Sequence, residues 1–386
     1  MTICTADLQM HLCRWKNKLF SRKWKSILVF VSVIFCLLAY FAAKNNVDRY
    51  REPIAEIIQV ENKQIGTKES TRNIPDKIYE QTIRARILNG SNAGTVIELK
   101  NQYDDTRMTN EKYHKGDQVF LATRNGTVLN KIRGLKRDAQ IVLLLGATVV
   151  CLLIFMGKQG LFTILTMVIN SIVFANGIRL LMDGKDIMEL CNQMVIVFAA
   201  VTLLLQSGIH KKTWAAIAST LCVAGMIMLV FEIVVHYAGE IDYSTIEYLG
   251  SVENPDTIFR AEILLSGLGA IMDVAIAITS GLDELVSKSP ALSFRDFFQS
   301  GREIGYDIMG TMLNVLLFVF GSSLIPVFLI RMNNGVSMVT IIEQHVSSEV
   351  CRFLVESIGI ILTIPVSMAF SMLFWRLHFI GRWKKC

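Results

Sequence analysis

Trp214–Tyr237 reads WAAIASTLCVAGMIMLVFEIVVHY, with one glutamate and one histidine in an otherwise apolar run. About 20 apolar residues are what an α-helix needs to cross roughly 30 Å of hydrocarbon. The same reading applies to Ile27–Ala43, Ile141–Met156, Leu161–Met182, Met188–Leu205, Ile263–Ser280, Ile308–Ile330 and Phe353–Phe374. Composition agrees. Hydrophobic residues make up 52% of the 386 and charged residues 19%, against about 25% charged in soluble domains. Mean hydropathy is +0.44. The fold class expected is an all-α multispanning membrane protein of about eight transmembrane helices, with a small β domain between the first two.

Charge placement sets the expected topology. Arg14, Lys16, Lys18, Arg22, Lys23 and Lys25 precede the first run, and Tyr40 and Phe41 crowd its exit. Signal cleavage wants small residues there, so this run reads as an uncleaved anchor. With the amino terminus inside, sixteen Lys/Arg flank the spans on the cytoplasmic side and four on the other. Both termini are therefore expected in the cytoplasm. The expected segments are a basic tail (1–26), an anchor (27–43), an extracytoplasmic domain (44–139), a seven-helix membrane domain (140–374) and a second basic tail (375–386). The net charge of +6 reflects these flanking groups, so no nucleic-acid partner is expected. None of the eight cysteines falls in residues 44–139, so no disulfide framework is implied.

Within 44–139, Thr82–Asn89 (TIRARILN) and Thr95–Leu99 (TVIEL) alternate about turn residues Gly90–Gly94. Gln118–Ala122 follows Gly116-Asp117, and Asn125-Gly126 is a hairpin turn before Thr127–Ile132. This predicts a small antiparallel, barrel-like β unit with Ile54–Val60 as a candidate first strand. The polar stretch 61–78 reads as a loop.

Two later segments carry a resemblance. They are Gly267–Leu285 (GLGAIMDVAIAITSGLDEL) and Ser300–Asn314 (SGREIGYDIMGTMLN). With the Gly116-Asp117 turn and Gly321–Pro326 (GSSLIP), they resemble the YibE/F family of bacterial multispanning membrane proteins. Gly310-Thr-Met-x-Asn314, soon after Asp307, is the most specific part. The family pattern has an arginine before that aspartate and a threonine after that asparagine, where this chain has Tyr306 and Val315. The resemblance implies a fold and a bacterial cell-membrane location, with export or transport suggested.

Asp273 lies about ten residues into its span, roughly 15 Å deep. It shares a helix face with Ser266, Ala270, Ala277 and Ser280. An ionisable group at that depth is costly and is usually functional or paired. Two readings stay open: a carboxyl group hydrogen-bonded across a tight helix contact, or part of a proton or ion path. Asp307, Thr311 and Asn314 share a face of the next span. Asp307 can equally be a first-turn carboxylate favoured by the helix dipole. Together Asp273, Asp307, Thr311 and Asn314 form the expected polar path. Glu232 and His236, four residues apart, are expected to bond one another. Ser293–Asp296 has capping-box form, and Phe294, Phe297 and Phe298 predict a short amphipathic helix on the membrane surface.

No G-x-x-x-x-G-K-[ST], H-E-x-x-H or G-x-S-x-G occurs. No nucleophile–base pair is visible, so no enzyme, metal or cofactor is expected. A permease or channel without its own ATPase fits best. A scaffold or regulatory subunit acting through the β domain is the alternative. The expected partners are the lipid bilayer and a second copy or a related membrane subunit.

Overall fold

The computed structural model describes residues 27, 29–69, 75–90, 92–106, 110–124, 127–239, 243, 254–289 and 293–383. The chain divides into two compact units, Met1–Leu161 and Phe162–Cys386. The first basic tail (1–26) lies outside the described residues, and the second, expected at 375–386, is the end of a helix as far as residue 383.

The first unit holds helix α1 (Val29–Lys44), a 3-10 turn at Val47–Arg49, five strands and helix α2 (Asp138–Met156). The strands are β1 (Ile54–Glu69), β2 (Pro75–Ile87), β3 (Val96–Asp104), β4 (Gln118–Arg124) and β5 (Thr127–Leu135). They form one antiparallel sheet in the order β3-β2-β1-β4-β5. Its edge strands β3 and β5 approach one another without a ladder between them, so the sheet curls as an open barrel. Alternation builds its core: Ile57, Ile83, Ile87, Leu99, Val119 and Leu121 all point inward and are buried. The Asn125-Gly126 turn lies outside the described residues, but β4 and β5 pair on either side of it.

The expected loop at 61–78 is a correction. β1 runs on to Glu69 and β2 begins at Pro75, with Lys63 opposite Glu80 and Lys68 opposite Asp76. This far end of the ribbon is paired by its backbone and is mostly exposed. A ribbon wet on both faces needs no apolar alternation, so its sequence looks like a loop.

Where the chain enters and leaves the sheet, polar side chains tie strands to helices. Asn89 donates to the carbonyls of Val47 (3.1 Å), Tyr50 (3.1 Å) and Glu52 (3.0 Å) and accepts from Ile54 N–H at 2.7 Å. Lys136, whose side chain is 2% exposed, pairs with Asp138 at 3.0 Å and donates to the Ala43 carbonyl at 2.7 Å. Asn46 (2.9 Å) and Tyr50 (3.0 Å) donate to the same carboxylate. Lys136 therefore joins the end of α1 to the start of α2.

Helix α3 (Lys158–Met182) crosses from the first unit into the second. The second unit continues with α4 (Ile187–Ser207), α5 (Lys211–Ala238), α6 (Pro255–Ser266), α7 (Leu268–Lys288), α8 (Phe294–Asn333), α9 (Met338–Ile341), a π-turn at Ile342–Val346 and α10 (Ser347–Trp383). Among the described residues, seven helical segments are long and apolar enough to cross a membrane, with α6 and α7 counted together as Pro255–Lys288. Each coincides with one of the seven later runs. The first run, Ile27–Ala43, corresponds to α1, a shorter apolar helix.

One helix start differs from expectation. The capping box is present, with Ser293 Oγ accepting from Asp296 N–H at 3.2 Å. The helix it starts does not lie separately on a membrane surface; it continues unbroken through Asn333. Asp307 consequently sits 13 residues inside α8, beyond the first turn, where the dipole acts. Asp296 occupies that first-turn position.

Helices α5, α7 and α10 form the centre of the second unit. Gly359 of α10 lies against Ile227 of α5 and Ile271 of α7, and a β-carbon there would come within 2.2 Å of Ile227 Cδ1. Gly359→Ala is expected to cost about 1–3 kcal/mol through overpacking. Ile227→Ala in the same chain should recover part of that loss, because it vacates the space the new methyl needs. Thermal unfolding of the full-length protein in detergent checks both; purely additive losses would contradict the contact.

Candidate functional site

The four sequence-predicted residues occupy two neighbouring helices. Asp273, on α7, is exposed at the surface of the helical unit and makes no hydrogen bond or ion pair with any described residue. The alternative of a carboxyl group bonded across a tight helix contact therefore gains no support. Asp307, Thr311 and Asn314 are likewise exposed on α8. Thr311 and Asn314 bond back to their own helix, at the Ile308 (2.8 Å) and Gly310 (2.8 Å) carbonyls. No hydrogen bond among described residues links Asp273 to the other three. Gly269 on α7 and Gly310 and Gly321 on α8 have open space where a β-carbon would stand. Both helices thus carry polar groups and bare backbone on surfaces that their own unit leaves uncovered.

A second constellation, absent from the sequence reading, joins α6 to α10. Arg352 of α10 pairs with Glu262 of α6 through one guanidinium nitrogen and with Glu349 of its own helix through the other. One turn further along α10, Glu356 is 4% exposed. Its Oε1 is hydrogen-bonded to Ser266 Oγ of α6, which also lies 2.7 Å from the Glu262 carbonyl oxygen. Three carboxyl groups and one guanidinium are thus gathered inside helices of spanning length. Burying such charges is costly unless they are paired and hydrogen-bonded. The readable signal was Glu349-x-x-Arg352-x-x-x-Glu356, one face of one helix. Arg260 and Arg352 look like loop charges in the sequence, because apolar content begins only after them. The helices start earlier, at Pro255 and Ser347.

The expected Glu232–His236 bond is also corrected. Glu232 pairs with Arg260 of α6, which further pairs with Asp256 at 2.6 Å, and Tyr243 donates to Asp256 at 2.8 Å. A full positive charge on the facing helix is a stronger partner than a neighbouring imidazole.

Below Glu356 on α10, Thr363 and Ser367 are fully buried. With Ser371 they continue its face at steps of 7, 4 and 4. Ser367 and Ser371, and Thr220 of α5, have buried hydroxyl oxygens without a protein partner. No three His, Cys, Asp or Glu side chains among the described residues are placed to hold a metal ion.

Residues 144–376, more than half of the chain, match the family model of the YibE/F-like proteins, and residues 48–135 match the YibE/F family N-terminal domain. The chain belongs to the YibE/F family. No curated protein and no solved structure matches it. The curled sheet is thus the N-terminal domain of a YibE/F membrane protein. The segments that carried the resemblance are α7 and the middle of α8. Tyr306, where the YibE/F pattern has arginine, lies under the Arg302 guanidinium, 5.7 Å from its ring centroid.

Proposed function

We propose that this YibE/F protein is a permease or channel of the bacterial cell membrane, without an ATPase of its own. Its polar path runs along the surfaces of α7 and α8 that carry Asp273, Asp307, Thr311 and Asn314. Both termini then face the cytoplasm and the sheet domain faces outward. The observation that carries the reading is Asp273: a carboxyl group midway along the Pro255–Lys288 segment, exposed and bonded to no described residue. Facing hydrocarbon it would cost several kcal/mol, so this surface faces water or another protein surface, such as a second copy or a related membrane subunit. The level of the neighbouring polar groups supports the path. Gly281 of α7 lies against Ile304 of α8, and a short connection makes the two helices antiparallel. Eight residues along each helix, about 12 Å, puts Asp273 level with Met312, beside Thr311 and Asn314.

Asp273→Asn keeps the volume and removes the charge. Flux is expected to fall at least tenfold while the amount of inserted protein stays within twofold. Asp273→Leu should be equally inactive. A fully active Asp273→Asn protein at normal membrane level would overturn the path.

One observation favours the second reading, a scaffold acting through its sheet. A cavity of about 290 Å³ opens on that domain beside Tyr79, Tyr103, Asp104 and Lys112. The two tyrosine rings are stacked at 5.1 Å with Tyr103 buried, and the polar groups of Asn62, Gln64 and Lys112 beside them suit a partner's polar chain.

A further inference from the structure

Ser266 has one hydroxyl hydrogen. Its oxygen lies 2.7 Å from the Glu262 carbonyl oxygen, an acceptor that cannot donate, and is also hydrogen-bonded to Glu356 Oε1. If Glu356 were a carboxylate, two acceptors would compete for one hydrogen and one contact would be oxygen against oxygen. If Glu356 carries a proton, both contacts are satisfied: Ser266 donates to the Glu262 carbonyl and Glu356 donates to Ser266. Among the described residues no hydrogen bond or ion pair joins Arg352 to Glu356; its two terminal nitrogens pair with Glu262 and Glu349.

We infer that Glu356 is a proton-binding site of the helical unit, neutral in the arrangement seen here, with Ser266 as its link to the surface. The inference rests on the permease reading only for its use, as the group that couples flux to protons. Ser266 is exposed while Glu356 is buried, so a single hydroxyl separates the carboxyl group from the outside of the unit. Release breaks the Glu356 O–H bond and passes the proton to water at the Ser266 side. The carboxylate left behind is met by the guanidinium of Arg352, four residues away on the same face, and no electron changes hands. The charged groups that act on Glu356 include Arg352 and Glu349 of its own helix and Glu262 of α6. On the other side, Thr363 and then the unpartnered hydroxyls of Ser367 and Ser371 continue along α10, a file along which water or a proton can move.

Infrared spectroscopy of the full-length protein in lipid at neutral pH tests the site without any substrate. The wild type is expected to show a protonated-carboxyl carbonyl band that Glu356→Gln removes. Gln keeps the volume and can donate its own N–H to Ser266, so folding should persist. Ser266→Ala, which leaves the carboxyl group in place but takes away its acceptor, should shift the band. Identical carbonyl regions in wild type and Glu356→Gln would overturn the inference, as would an unmoved band in Ser266→Ala should the first variant fail to fold. A band that behaves as expected in a protein that moves no solute would sink the permease reading alone and leave the proton site standing.

Discussion

Asn89→Ala is expected to unfold the amino-terminal sheet while leaving the spanning helices inserted. The side chain replaces a missing stretch of ladder: it serves three carbonyls of the entering chain and the first N–H of β1. It is 7% exposed, so water cannot take over all four groups in the folded state. Each buried polar group left unpaired costs about 1–3 kcal/mol, and a total of roughly 3–5 kcal/mol is a large part of a small domain's stability. Limited proteolysis of the full-length protein should cut the sheet of this variant under conditions that spare the wild type. Asn92→Ala, an exposed turn position, is the control and should behave as wild type. Equal resistance of Asn89→Ala would mean that the strands hold the entering chain by themselves.

The other large effect belongs to Arg352. Its guanidinium pairs with both Glu262 and Glu349; the three side chains are partly buried, and about 3–5 kcal/mol, the typical cost of removing one partner of a fully buried charge pair, is the upper bound of the loss. Arg352→Leu should therefore sharply reduce the amount of folded protein in the membrane. Arg352→Lys should rescue it only in part, since a single ammonium group cannot reproduce the two-armed fork. Combining Arg352→Leu with Glu262→Gln and Glu349→Gln removes the stranded charges and should restore much of the level. Protein quantified by size-exclusion chromatography in mild detergent checks the series. A triple variant no better than Arg352→Leu would show that the arginine acts through its packing.

Much of this architecture is legible in the residues. Apolar runs such as Ile141–Met156 announce helices because hydrocarbon sets their length. Pairs such as Gln118–Ala122 and Thr127–Ile132 announce a hairpin because one face must be buried. Three kinds of information are not local. The β1–β2 arm around Lys63 and Glu80 is wet on both faces, so its pairing leaves no pattern. Span ends are blurred where a buried charge is neutralised by a distant partner: Glu262 and Arg352 are 90 residues apart, and each alone reads as a loop charge. The continuity of Phe294–Asn333 depends on α7 and α10, which cover its first turns. Phe297 is buried, and Gly301 and Gly305 lie against Met368 and Ile364; this face meets helices, while Phe294 stays exposed. At the candidate path, residue types and spacing were readable, while the absence of any bond between Asp273 and the described residues was not.

That absence matters for function because an unpaired carboxyl group is available to a solute or ion, whereas one locked to a neighbour is not. The glutamates around Arg352 show the contrast within the same chain, where the charges are mutually engaged and the surrounding helices hold them in place. A path that uses α7 and α8 also leaves the buried α5–α7–α10 centre free to act as a rigid support.

The measurement that bears most directly on the permease reading compares solute uptake and release, across a panel of ions and small metabolites, in cells with the protein, without it, and with Asp273→Asn at matched membrane levels. The account predicts at least one solute whose flux requires the protein and is lost in the variant. Identical fluxes in all three strains would contradict it and leave the sheet domain as the acting part of the molecule.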